Sequence, residues 1–374
     1  MRASRWALGL GTPLLVVFAA CGGGKLGGEK GGAGGGVIQT GSGGGVIQTG
    51  SGGGGDIGGG TGGAAGNVAG WPLTLVTGPE NSAWDIAVDA THVYWTDRAA
   101  RAVMRIPKEG GTPETLAWPQ EDLGRLAVDS NFVYWTNTLP SGDVMKLAIG
   151  GGTPVPVATG QLRPVGIAVD ATNVYWTNAG GSTLGVGSVM KASLATGATV
   201  TLAANQEAAL AITVDATSVY WSKGPFETGG GEVMRVPIGG GTPVSLALLP
   251  PDDPAMPSMI GASLAVDGQN VYFPQTTGPI ESGLPRWRLK AVPRAGGTQT
   301  WLSESRWIDA VVAMDGRFPT WASDRAIVSK FQSSTAFAET PGQAQRIAYD
   351  QTHLYFTTRE GAVMKMAKLR SSIF

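Results

Sequence analysis

Cysteine is almost absent from this chain: one in 374 residues, Cys21. A single cysteine closes no intrachain disulfide and excludes a cysteine-ligated structural zinc or an iron–sulfur cluster. Histidine is nearly as scarce, with only His92 and His353, so His-rich metal chemistry is excluded and no metal site is expected. Charge is sparse, at 15% of residues, and sums to a formal net charge of −1. Without a global basic field the chain is not expected to be a dedicated nucleic-acid binder. No Gly-x-Ser-x-Gly, P-loop or His-Glu-x-x-His stretch occurs, so the sequence assigns no catalytic residue and no cofactor. What the chain has in excess is glycine, 59 in all, and 26 of these fall in residues 22–70. The remainder has ordinary globular composition, and 12 Trp, 9 Phe and 7 Tyr supply bulky side chains for a core.

Three segments follow from this unevenness: a leader over 1–20, a glycine-rich stretch over 21–70 and a folded domain over 71–374. In the first, Arg2 and Arg5 precede an uncharged apolar run from Trp6 to Ala20, too short for a membrane span and patterned as an export signal. The run ends in Phe18-Ala19-Ala20-Cys21 followed by glycine. This resembles the lipobox of bacterial lipoproteins, which implies lipidation of Cys21, although Phe18 stands where that motif carries leucine or valine. The implied location is the cell envelope, with the outer membrane as destination because Gly22 is not aspartate; cleavage after Ala20 without lipidation would instead give a secreted protein.

Residues 22–70 contain a tandem nonapeptide, Gly-Gly-Gly-Val-Ile-Gln-Thr-Gly-Ser, at 34–42 and 43–51. Such a segment cannot bury enough apolar surface to fold, and a disordered linker is expected. As a glycine-rich coil it would span about 40 Å on average, enough to tether a domain clear of a membrane.

From Trp71 onward an internal repeat governs the chain. Its units begin at Ile86-Ala-Val-Asp89, Leu126-Ala-Val-Asp129, Ile167-Ala-Val-Asp170, Ile212-Thr-Val-Asp215, Leu264-Ala-Val-Asp267, Val312-Ala-Met-Asp315 and Ile347-Ala-Tyr-Asp350. Five residues after each aspartate comes a pair such as Tyr94-Trp95, Tyr134-Trp135, Tyr175-Trp176 or Tyr220-Trp221; then Val-Met-Arg or Val-Met-Lys; then, in three units, Gly-Gly-Thr-Pro. Each unit reads as four short antiparallel strands, too small to be stable alone and buried only when copies pack around an axis. An all-β fold is expected, a single β-propeller of seven four-stranded blades. The sixth unit, 310–338, lacks Gly-Gly-Thr-Pro and a clear third strand, which leaves six blades as the alternative. The last unit runs out after its third strand, while Pro72-Leu-Thr-Leu-Val-Thr77 matches a fourth strand, so an N-terminal strand is expected to close the ring.

The blade motif Tyr94-Trp95-Thr96-Asp97, with Tyr134-Trp-Thr-Asn137 and Tyr175-Trp-Thr-Asn178, resembles the YWTD propellers of the low-density-lipoprotein-receptor class. The resemblance covers residues 72–370. It departs in later units, where Lys223, Gln275, Ser323 and Thr358 replace the aspartate, and in blade count, since that family has six. It implies a binding module rather than an enzyme.

Positions that vary between units are the candidates for function, because the architecture does not require them. Blade connections carry Trp84, Asp85, Arg125, Trp307 and Arg346, and the loops after the second strands carry Arg98 and Trp287. With blade 7 next to blade 1, Asp85, Arg125 and Arg346 should meet at one side of the axial mouth, giving a local positive excess for an anionic ligand beside an aromatic rim. The expected function is a lipid-anchored, monomeric binding or scaffold module for a protein, peptide or glycan, touching the membrane only through its lipid. The alternative is an enzyme of lactonase or lyase type using the axial channel. Each repeat aspartate is read as a turn cap, and His92 and His353 as turn residues.

Overall fold

A repeat aspartate at the end of a first strand accepts hydrogen bonds from the amides two and three residues on, which reverses the chain and starts a second strand. Asp170 does this with the N–H groups of Thr172 and Asn173, at 2.7 and 2.8 Å. The same turn recurs at Asp89, Asp129, Asp215, Asp267 and Asp350. The further oxygen of each carboxylate accepts the hydroxyl of the repeat tyrosine five residues later, at 2.6 to 3.0 Å. This is why tyrosine opens the Tyr-Trp pair: its ring fills the core and its hydroxyl satisfies the aspartate.

The computed structural model describes residues 72–79, 82–181, 186–224, 230–249, 261, 263–279, 285–305, 312–314, 319–323, 326–331 and 334–368. The expected leader, Cys21 and the glycine-rich segment lie outside them. The described chain forms seven four-stranded antiparallel sheets and, among the described residues, no helix. Blades 1 to 6 span residues 83–117, 123–161, 164–203, 212–249, 265–305 and 312–339. Blade 7 takes three strands from 344–367 and its fourth from Leu73–Val76, which pairs antiparallel with Val363–Ala367. The expected closure is therefore present. The sixth unit does carry third and fourth strands, Ala326–Phe331 and Ser334–Glu339, so the ring has seven blades. Its third strand escaped the pattern because Ala326-Ile-Val-Ser replaces the Val-Met-Lys signature.

First strands line the axis and touch first strands of both neighbouring blades all round the ring. Between blades the core is aromatic: Trp95, Trp135, Trp176 and Trp221 are fully buried. The Val-Met-Arg/Lys signature is an inter-blade clamp. Arg105 donates to the Ile149 carbonyl, Lys191 to Ile238, Arg235 to Arg294 and Lys365 to Lys108, each reaching the following blade at 2.5 to 2.9 Å. The last of these crosses the closure seam. There Lys108 also meets the Asp350 carboxylate at 2.8 Å. Gly-Gly turns join third to fourth strands with φ of +88° and +131° at Gly110 and Gly111, a conformation a side chain would strain.

Candidate functional site

Alternation of antiparallel strands gives every blade two ends. The aspartate turns and the Gly-Gly turns lie at one, the turn end. The connections between blades and the loops after the second strands lie at the other, the mouth end, where the candidate residues cluster.

The backbone of the mouth is set by a bulge repeated in the first strands of blades 1, 2, 3 and 7, where register slips two or three residues after the strand begins. The bulged amide turns towards the threonine of the Tyr-Trp-Thr motif. Asp85 N–H donates to Thr96 Oγ1 at 3.2 Å, Arg125 N–H to Thr136 at 3.1 Å and Gly166 N–H to Thr177 at 2.9 Å. Each hydroxyl passes its own proton to a carbonyl of the next blade, Gly124, Val165 and Leu210 respectively. The threonine thus stitches neighbouring first strands together. Blade 5 has Pro274 at this position, and Ser263 of its own connection takes over, accepting from Val312 N–H and donating to Val312 C=O at 3.0 Å each. In blade 7 the equivalent Thr357 Oγ1 is buried without a hydrogen-bond partner, and a side-chain ion pair occupies that seam.

That pair involves the expected residues. The bulges carry Asp85, Arg125 and Arg346 on adjacent first strands of blades 1, 2 and 7. Asp85 Oδ1 receives Arg125 Nη1 and Arg346 Nε, both at 3.4 Å, with side chains only 9%, 15% and 15% exposed. Asp85 Oδ2 accepts the Leu126 N–H at 2.9 Å, which fixes the carboxylate between the two cations. Trp84 is half-buried beside them, with the Arg346 guanidinium carbon 5.4 Å from its ring centroid. A third guanidinium joins the group: Arg98 lies 3.7 Å over Trp84 and donates to the Leu123 carbonyl at 2.8 Å. Removal of water lowers the pKa of Arg98; Asp122 opposes that shift, Arg125 adds to it and Asp85 opposes it. Three guanidiniums thus gather near the buried Asp85 carboxylate, where charges are little screened by water.

Trp287 is elsewhere, packed among Leu289, Val312 and Trp321 between blades 5 and 6. Trp307 lies outside the described residues. Also unforeseen is a glutamine at three blade junctions: Gln120, Gln161 and Gln206 accept the indole N–H of Trp135, Trp176 and Trp221 respectively, each at 3.0 Å. Its signal is a glutamine 15 residues before the repeat tryptophan. The two histidines sit at the turn end, each with Nδ1 2.8 Å from the hydroxyl of the preceding threonine.

No known protein-family model matches the chain, and no curated protein matches it. Among solved structures it is similar to a streptogramin B lyase, with TM-score 0.61 and 13% identity over 79% of this chain and 97% of that one. It is similar also to a catalytically inactive virginiamycin B lyase from Staphylococcus aureus with quinupristin, at TM-score 0.59 and 13% identity over 80% and 98%. The computationally designed Ika8 protein follows at 0.52 and 12%, over 79% and 99%. At such identity the likeness establishes the fold: this chain is a seven-bladed β-propeller.

Proposed function

We propose that the propeller is a binding module, tethered to the cell envelope through a lipid on Cys21, that holds a protein, peptide or glycan by an anionic group at the mouth of blades 7, 1 and 2. The observation that carries the reading is the convergence of Arg98, Arg125 and Arg346 around Asp85 and Trp84. Guanidinium groups suit carboxylate and phosphate geometry, and three of them gather here beside an aromatic ring. The alternative, an enzyme using the axial channel, would need several carboxylate, amide or histidine groups converging at the mouth. Both histidines open second strands at the opposite end of the blades, and binding is the reading we adopt.

The test is capture from an envelope extract by the chain carrying Cys21→Ser, compared with the same chain also carrying Arg125→Ala and Arg346→Ala. A partner held by the first and lost by the second supports the reading; equal capture overturns it. The anchor is checked separately by fractionation, where Cys21→Ser should move the protein from the membrane to the soluble fraction, and a variant that still pellets contradicts lipidation.

A further inference from the structure

We propose that the turn end carries a binding site for an alkylammonium group, beside Asp170 in the cleft between blades 3 and 4. The proposal goes beyond the mouth and does not depend on it.

One position of the repeat differs between seams. It is the residue that follows each third strand, whose N–H donates to a carbonyl in the aspartate turn of its own blade. Lys108, Ile149, Leu194, Ile238, Arg294 and Lys368 fill it in blades 1 to 5 and 7. Two of these side chains reach the aspartate of the preceding blade. Lys108 Nζ meets Asp350 Oδ2 at 2.8 Å, and Arg294 Nη2 meets Asp215 Oδ2 at 2.5 Å. The same oxygen also takes the repeat tyrosine hydroxyl, at 3.0 and 2.7 Å, so Oδ2 accepts two donors in both seams.

Between blades 3 and 4 the position is Ile238, and Asp170 Oδ2 accepts only the Tyr175 hydroxyl, at 2.7 Å. Among the described residues no ion pair reaches Asp170. Lys191, the clamp of this seam, is held on the Ile238 carbonyl at 2.9 Å. The same clamp acts where the aspartate is paired, from Lys365 to the Lys108 carbonyl and from Arg235 to the Arg294 carbonyl. A clamp therefore does not replace the aspartate's cation. A cleft of about 500 Å³ opens at this seam, with Asp170 on its wall beside Val169, Val214 and Ile238. Asp215 also lines it, already paired with Arg294.

The cleft thus offers one acceptor oxygen with room for a second donor, next to an aliphatic wall. A metal ion needs several ligands around it, and among the described residues no group of three or more acidic, histidine or cysteine side chains could hold one. An ammonium on a methylene stem needs only what is present: its N–H takes the carboxylate and its stem covers the wall. Such a group is carried by the lysine side chain of a partner or by a free alkylamine.

The probes are 1-aminopentane and the capped tripeptide acetyl-Gly-Lys-Gly-amide, with 1-pentanol as the neutral counterpart, offered to the full chain carrying Cys21→Ser and read by ligand-observed saturation-transfer NMR. The amines are expected to bind, and pentanol about tenfold or more weakly. Tighter binding of the tripeptide assigns the site to a partner's lysine, and tighter binding of 1-aminopentane to a free amine. Ile238→Lys supplies the cation from within, as Lys108 does at the closure seam, and should remove amine binding with the melting temperature kept or raised. Asp170→Asn should weaken it about tenfold. No amine binding by the parent, equal binding of amine and pentanol, or binding retained in Ile238→Lys overturns the proposal. Should Asp170→Asn lose its circular dichroism, Ile238→Lys decides alone.

Discussion

The two ends of the ring obey different rules. At the turn end six blades repeat one device, an aspartate that caps its turn amides and accepts its own tyrosine hydroxyl. At the mouth end the equivalent described positions carry Asp85, Arg125, Gly166, Ala211, Ser263 and Arg346 in turn, and among them only those of blades 7, 1 and 2 are charged. Uniformity is what a packing solution copied around a ring requires. Variation at equivalent positions marks residues released from that requirement. On the proposed reading, the turn caps and the inter-blade stitches serve the fold and the mouth serves binding.

The largest effect should come from the closure strand, whose loss opens the blade 7 edge and a full seam. Starting the chain at Glu80 is expected to lower the melting temperature by more than any point substitution, or to cause aggregation, whereas removing residues 22–66 should leave it nearly unchanged. Differential scanning calorimetry distinguishes the two.

Thr177→Val comes next. It strips the Gly166 N–H of its acceptor and the Leu210 carbonyl of its donor. At roughly 1–3 kcal/mol for each buried group left unpaired, about 3 kcal/mol of stability should be lost, read as a shift in the denaturation midpoint at constant slope. Loss of less than about 1 kcal/mol would show that the stitch between first strands is dispensable.

Asp170→Ala sharpens the other half of the comparison and should cost about 2 kcal/mol through the lost turn cap and tyrosine bond. It also has a pH signature. Burial alone would raise the Asp170 carboxyl, but the hydrogen bonds from Thr172, Tyr175 and Asn173 hold it below its ordinary 3.8; Asp89, Asp215 and Asp350 are likewise held down. A carboxyl depressed by folding contributes fully above its ordinary value and loses that contribution as pH falls towards the folded one. The tyrosines shift the other way. Burial, then the bond to Asp267, pushes Tyr272 up to about 12, so its neutral form stabilises the fold below pH 10 and the contribution fades as pH rises through the folded value. Stability should therefore be flat between about pH 5 and 9 and fall on both sides. Asp170→Ala should make the acid limb shallower, and an unchanged limb would contradict the assignment.

Much of this was legible from the repeat. Aspartate, Tyr-Trp and Val-Met-Arg/Lys recur with the chain's own period, so blade count, ring closure and the meeting of Asp85 with Arg125 and Arg346 follow from placing blade 7 beside blade 1. What was not legible depends on contacts that period does not encode. Gln120, Gln161 and Gln206 sit at blade junctions, outside the visible unit, and their role appears only when measured back from the tryptophan. Arg98 was readable as a loop residue, but its stacking on Trp84 is a matter of rotamer. Trp287 was grouped with the site because it occupies a second-strand loop region, yet its strand register directs it into the seam between blades 5 and 6.

The central claim, that the mouth arginines serve binding and not the fold, is tested most directly by Arg125→Ala with Arg346→Ala in one chain, with thermal melting and envelope capture measured on the same preparation. The account predicts a melting temperature within a few degrees of the parent and loss of the captured partner. Unfolding of the double variant, or capture equal to the parent, would contradict it.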